Sequence, residues 1–421
     1  MSEISAGWVL PVGGAPIEGG LVRFENGRIT FVGPGRATRH FDDAVILPGF
    51  VNAHSHLEYA SYAGFGDGAP FAPWLKLHVE RKGRLRPEDM LAVARLGVVE
   101  SLRSGITTAA DYSFSGAAAL AAGDLGLRAT VYLEVFAADA RDAERQWLEK
   151  RARVTEGGLV RIGISPHAPY TCSLETYRFC LSLGAPVGTH LAESAHEDEW
   201  LLHGSGPLQG IPILVPPTGK RAVETLEPVL GPGLLCAHCV ALEPRDVALI
   251  ADRDVPVAHC PRSNALLGCG IAPLTLLRDA GARVGLGTDS PASTPSFDLF
   301  EELRTAIYLA RAREGRADAL PAAEALRLAT IDSARALRLD AEVGTLAPGK
   351  RADLTVVSLA GSPYHPVEDP AAAVVFGGSP DRVLETIVDG VTRYRSEDEE
   401  TWREVRNIAS AARLRMLAGA P

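Results

Sequence analysis

Residues 46–57 read ILPGFVNAHSHL: an apolar, β-branched run that closes on His54 and His56, one residue apart, in a chain of 421 residues with only 11 histidines. Side chains at i and i+2 of a strand lie on one face, so these two imidazoles can be presented to a single point in space.

Outward from that stretch the same theme recurs. Residues 105–111 (GITTAAD), 128–134 (RATVYLE), 160–167 (VRIGISPH), 186–190 (PVGTH), 234–238 (LLCAH), 256–259 (PVAH) and 282–289 (ARVGLGTD) are short apolar runs that end on His, Asp or Glu. Segments of helical periodicity lie between them, at 87–103 (PEDMLAVARLGVVESLR), 174–183, 244–251 and 273–280. Eight strands alternating with helices predict a parallel sheet, and eight strands close a (β/α)₈ TIM barrel, an α/β fold whose active site lies at the C-terminal strand ends. One polar strand end is an ordinary loop residue; eight at the same structural position point to a site.

The flanks read differently. Residues 7–33 carry a hairpin turn at Glu25-Asn26-Gly27, and residues 343–395 contain strand-like runs with Gly turns. The expected organisation is a small β-sandwich from residues 1–47 and 344–395, a barrel over 48–343, and a C-terminal helix over 396–421 that packs on the barrel with Trp402, Val405, Ile408, Ala412 and Met416. The segment GTLAPGKR at 344–351 resembles a phosphate loop, but Arg351 stands where Ser or Thr is needed and no helix-like stretch follows, so it reads as a turn.

A net charge of -10 with scattered basic residues argues against a nucleic-acid partner and for a small-molecule substrate. No signal-peptide pattern and no apolar run of about 18 residues is evident, so a cytoplasmic protein without membrane contact is expected. The six cysteines read as buried thiols, Cys236 and Cys239 included, because their CxxC lies inside an apolar strand run.

His190 ends the fifth strand with Glu193 three residues on, and Asp289 ends the eighth between small residues. With His54 and His56 on the first strand, three imidazoles and a carboxylate on one rim suit one divalent ion, zinc first and iron second, with a position left for water.

The set His54-Ser55-His56, His190-Leu191-Ala192-Glu193, His238 and Gly287-Thr288-Asp289 resembles the amidohydrolase superfamily, in its mononuclear deaminase and chlorohydrolase branch that includes the triazine hydrolases. The resemblance runs over almost the whole chain. It implies that His54, His56, His190 and Asp289 bind metal, that Glu193, His238 and Asp289 are catalytic, and that the protein is a homodimer. Glu134 and His167 stand where binuclear members carry a bridging carboxylated Lys, which favours one metal. His167 matches a family position that faces the substrate and Trp74 one that packs over it, while Arg262, like Arg81 and Arg128, could pair a substrate carboxylate.

The implied chemistry is hydrolytic deamination: metal-activated water attacks a ring carbon bearing an amino group, Glu193 protonates the adjacent ring nitrogen, and ammonia leaves. Within the branch, 190–208 and 260–268 are most similar to aminodeoxyfutalosine deaminases of a menaquinone route, which act on a 6-aminopurine nucleoside. Deamination of S-adenosylhomocysteine, methylthioadenosine, adenosine or guanine, and triazine dechlorination, are the neighbouring alternatives. A catalytically silent barrel scaffold and a cyclic-amide hydrolase are the readings from other classes; the complete ligand and acid–base set argues against the first, and the missing Lys against the second.

Overall fold

The computed structural model describes residues 1–418; positions 419–421 of the expected tail lie outside the described residues. The flanks form strands β1 (Ser2–Val9), β2 (Ile17–Glu25), β3 (Arg28–Pro34) and β4 (His40–Pro48). The barrel strands follow: β5 (Phe50–Ser55), β6 (Ile106–Ser113), β7 (Arg128–Val135), β8 (Val160–Pro166), β9 (Val187–Leu191), β10 (Leu234–His238), β11 (Val257–His259) and β12 (Val284–Leu286). Strands β13 (Leu354–Ser358), β14 (Val383–Val388) and β15 (Val391–Arg395) complete the set.

Strands β5 to β12 form one parallel eight-stranded sheet in chain order. Each strand is followed by a helical segment that returns the chain to the far end, and the expected helix over 87–103 is found as Pro87–Arg103. Closure between β12 and β5 is made beyond the last regular strand residues, by a parallel bridge between Ser55 and Asp289 and a bond from the Asp289 amide to the His54 carbonyl at 3.0 Å. Asn52 locks the seam, its Nδ2 donating to Thr288 Oγ1 at 2.8 Å while its Oδ1 accepts from the Thr288 amide at 3.0 Å. Gly287 makes the approach possible, since a Cβ there would lie 2.8 Å from the His54 backbone nitrogen.

Large side chains fill the barrel against glycines on facing strands. Tyr112 and Tyr132 stack at 5.0 Å, and the Tyr112 ring lies 4.4 Å from that of His54. A Cβ on Gly188 would meet the Tyr112 hydroxyl well inside contact distance. Gly188→Ala is therefore expected to cost about 1–3 kcal/mol through overpacking, read as a lower denaturation midpoint. The Tyr112 hydroxyl is buried with no hydrogen-bond partner, so adding Tyr112→Phe should recover part of that loss; a double variant no better than Gly188→Ala alone would reject this packing account.

The two flanks meet in one mixed seven-stranded sheet, ordered β15-β14-β13-β4-β1-β2-β3. Its two halves share one apolar cluster, in which Ile4, Val22 and Phe24 pack with Ile46, Val356 and Ile387. Asn26 and Gly27 take positive φ (51° and 74°) in the two-residue loop between β2 and β3, the turn expected there. Segment 344–351 is a turn that stitches the flanks together: the Gly349 amide donates to Ile29 O at 2.8 Å and Arg351 pairs with Glu342 at 2.7 Å.

The tail helix Glu399–Leu417 lies against helix Pro87–Arg103, with Trp402, Ala409, Ala412 and Met416 buried. Ile408, expected on the packed stripe, is 55% exposed. Positions 402, 409 and 416 recur every seven residues, so the buried line passes through Ala409 and leaves its neighbour facing out. All six cysteines are free thiols, and burial raises the Cys236 and Cys239 pKa values; Cys236 lies in β10 as expected, whereas Cys239 sits just past its end at φ 50°. Among the described residues no helix is long and apolar enough to cross a membrane.

Candidate metal-dependent active site

The strand ends converge as the polar termini predict. The ligand atoms of His54, His56 and His190 lie within 4.8 Å of one another, as do those of His54, His238 and Asp289. His56 Nε2 is 3.3 Å from His190 Nε2, and Asp289 Oδ1 is 3.5 Å from both His54 Nε2 and His56 Nε2. For metal–ligand bonds of about 2.0–2.1 Å, the edges of a tetrahedron are about 3.3–3.4 Å, so this spacing matches a divalent-ion site.

Neighbouring groups set the tautomers of His56 and His190. The His56 Nδ1–H donates to Tyr112 O at 2.8 Å and the His190 Nδ1–H to His167 O at 2.8 Å, which leaves both Nε2 lone pairs facing the centre. Burial pulls the pKa values of His54, His56 and His190 down to about 3, so all three imidazoles are neutral at pH 7 and free to accept a cation. His54 Nε2 and His238 Nε2 are buried without a hydrogen-bond partner. Such orphaned nitrogens are costly unless something else occupies them, and a metal and its water would do so.

Asp289 Oδ2 accepts from Ser263 Oγ at 2.6 Å and Ser293 Oγ at 2.7 Å, which turns Oδ1 toward the histidines. The surrounding imidazoles hold its carboxyl well below the ordinary range, against the opposing effect of burial. His238 Nδ1–H donates to Asn264 Oδ1 at 3.0 Å, and its Nε2 is 3.8 Å from Glu193 Oε1. The Glu193 carboxyl is pushed well above its ordinary pKa by burial first, then by Asp289 and Glu197. Glu197, fully buried, accepts from the Glu193 amide at 3.0 Å.

Four backbone positions here are strained, Cys239 (φ 50°) beside His238 among them. Asp289 (φ 58°), His238 (φ 73°) and Ala192 (φ 50°), next to Glu193, occupy the left-handed region. Such conformations cost of order 1–3 kcal/mol each and cluster at functional sites, where they turn the chain so that strand-end side chains face inward.

The site opens into a cavity of about 1070 Å³, at the upper end of ligand pockets. His167 lines it, with Nδ1 bonded to Thr171 Oγ1 at 2.8 Å. Trp74 lines it too, its Nε1–H donating to Ala292 O at 2.8 Å and its ring stacked on His78. Trp74, His78 and Lys82 follow one another at intervals of four on helix Phe71–Lys82, so one helix face walls the cavity. That i, i+4, i+8 spacing is legible in the sequence itself. Asn52 and Ser263 left no such signal, because their partners are distant in the chain, whereas Ser293 and Glu197 lie four positions from Asp289 and Glu193.

Arg262 does not reach the cavity. Its Nε is 2.5 Å from buried Glu302, and its other nitrogens bind Glu301 at 2.7 Å and Ser296 O at 2.7 Å. The expectation of a substrate carboxylate at Arg262 is thus corrected: the guanidinium is already saturated by protein. Arg128 is similarly committed, bidentate to Asp353 at 2.9 and 3.0 Å. Arg262→Met should destabilise the fold by about 3 kcal/mol or more by leaving Glu302 unpaired, while the folded variant keeps its KM; a raised KM at normal stability would restore the substrate role.

A model of the amidohydrolase family matches residues 45–393. The chain belongs to that family. This amidohydrolase is 35% identical to the 5-methylthioadenosine/S-adenosylhomocysteine deaminase of Syntrophobacter fumaroxidans, over 94% of each chain. It is 32% identical to the 5'-deoxyadenosine deaminase of Methanothermobacter thermautotrophicus, over 96% of each. Its fold matches the crystal structure of an adenosine deaminase from Xanthomonas campestris with bound zinc at a TM-score of 0.86, with 29% identity and 98% of each chain covered. The zinc-bound neighbour and the histidine cluster agree on a divalent-metal site.

Proposed function

We propose that this amidohydrolase is a hydrolytic deaminase of adenine nucleosides, holding one divalent ion, zinc, on His54, His56, His190 and Asp289. The observation that carries the reading is the meeting of a ligand cluster of tetrahedral dimensions with a buried Glu193, whose carboxyl burial pushes well above its ordinary pKa, and a partner-free His238 Nε2 on one cavity wall. The relatives that act on methylthioadenosine, S-adenosylhomocysteine and 5'-deoxyadenosine favour 5'-modified adenosines as a class over aminodeoxyfutalosine in particular.

A divalent ion held by these residues would supply a water that ionises near neutral pH. The chain's own groups do the rest. With Nδ1–H committed to Asn264, His238 can only accept a proton at Nε2, which makes it the base for the attacking water. Glu193, whose carboxyl burial pushes toward the acid form, gives its proton to the ring nitrogen beside the attacked carbon. Asp289 carries the second water proton from the new C6 hydroxyl to the departing amino group, and the proton taken by His238 restores Glu193, so that C6–NH₂ and water become C6=O and ammonia. His190 Nε2 already faces His56, so an ion at Glu134 and His167 would compete for it; this supports a single metal.

Ammonia release from adenosine, methylthioadenosine, S-adenosylhomocysteine, 5'-deoxyadenosine, aminodeoxyfutalosine and guanine tests the proposal. A substrate with kcat/KM of about 10⁴ M⁻¹s⁻¹ or more is expected among the adenine nucleosides. Silence across that panel with metal bound would reject it. A cytoplasmic homodimer completes the proposal, checked by light scattering and cell fractionation.

A further inference from the structure

Arg262, which does not reach the cavity, stands directly beside the two residues that orient the site's proton-carrying groups. Arg262, Ser263 and Asn264 follow one another on the short helix Pro261–Leu266, just past the end of β11. Ser263 Oγ donates to Asp289 Oδ2 at 2.6 Å, and Asn264 Oδ1 accepts from His238 Nδ1 at 3.0 Å. Among the described residues neither side chain makes another hydrogen bond, and Asn264 Nδ2 is buried without a partner. Where these two side chains stand is therefore set by the backbone that carries them.

Arg262 fixes that backbone from the far side. Its amide donates to Glu302 Oε2 at 3.2 Å and its Nε to Glu302 Oε1 at 2.5 Å, both on helix Leu299–Glu314. Its Nη2 donates to Ser296 O at 2.7 Å. Ser296 lies in the segment between β12 and that helix, the same segment that carries Ser293, the second donor to Asp289 Oδ2. One guanidinium thus ties together the two stretches of chain whose serines converge on Asp289, and the first of them also carries the group that bonds His238. Arg262 and Glu302 are both buried. A buried ion pair adds little net stability, because desolvation offsets the attraction. What a planar guanidinium with its donors in a rigid fork supplies is fixed geometry.

We infer that Arg262, held by Glu302, is a positioning residue for the reaction, acting through Ser263 and Asn264 on Asp289 and His238. The inference rests on the deaminase reading and extends it to a residue outside the cavity wall. Displacing the groups that move protons by about 1 Å costs on the order of 10²-fold in rate. Substrate affinity is spared, because Arg262 is not among the residues that line the cavity.

Arg262→Lys tests this, since it keeps a charge opposite Glu302 and loses the fork. With zinc in excess, kcat should fall by about 10- to 100-fold while KM stays within about twofold of native. Zinc release to a chelator, which needs no substrate, should quicken by about tenfold as Asp289 loses its orientation. Ser263→Ala should slow the native enzyme but add little to Arg262→Lys, so the double variant falls short of the product of the single losses. Glu302→Gln, with Arg262 still paired to Glu301, reaches the same losses from the other side if the lysine variant fails to fold. Native kcat or native zinc release in a folded variant, a rise in KM that accounts for the whole loss, or single losses that multiply in the double variant would overturn the inference. Silence of the native enzyme across the nucleoside panel would instead sink the function reading and leave the zinc-release comparison to decide this one.

Discussion

Glu193→Gln is expected to keep its metal and its fold and to lose turnover by roughly two to four orders of magnitude, the scale of general acid–base catalysis. The amide is nearly isosteric and preserves the backbone bond to Glu197, so the loss would isolate the proton. Burial is the first cause of the raised Glu193 pKa, with Asp289 and Glu197 adding to it, so the site favours the acid form. Activity that needs this proton falls as pH rises through the folded pKa, and never on the acid side of it. The native kcat/KM profile should carry that alkaline limb, and the residual activity of the Gln variant should lack it. Near-native turnover, or an unchanged limb, would remove Glu193 from the mechanism.

The second large effect is expected at Asp289. Its Oδ2 takes two serine hydroxyl protons and its Oδ1 stands 3.5 Å from two histidine nitrogens. In Asp289→Asn one of these sides must receive an NH₂ group, which donates where Ser263 and Ser293 also donate, or points its protons at the metal ligands. The carboxylate that counters a divalent charge is lost as well. Turnover should fall by about 10³-fold or more, since a ligand and a proton carrier go together. Metal affinity should fall by more than the 10- to 100-fold typical of lost outer-shell partners. Metal content after dialysis and turnover with excess zinc separate the two losses: zinc should restore occupancy without restoring rate. Full recovery of rate would leave Asp289 as a ligand alone.

Both predictions concern residues visible in the sequence, because the barrel makes its site from strand ends and each strand end carries its polar residue in line with a local apolar run. His54, His56, His190, His238 and Asp289 are legible for that reason: strand periodicity is a local property, and eight repeats of it imply closure. The tail helix shows the limit of the same logic, since Ile408 and Ala409 differ by one position and only the contact with Pro87–Arg103 chooses between them.

What the sequence by itself determined is therefore the barrel, its polar mouth and the kind of ion that mouth can hold. Tertiary structure alone decided which side chains aim and which are merely near. It gave Arg262 to Glu302, turned Asp289 with two serines, and set the His238 tautomer through Asn264. The physical reason is range. Strand and helix patterns arise from neighbours along the backbone, whereas hydrogen-bond partners, burial and charge pairing depend on residues that meet only once the chain has closed.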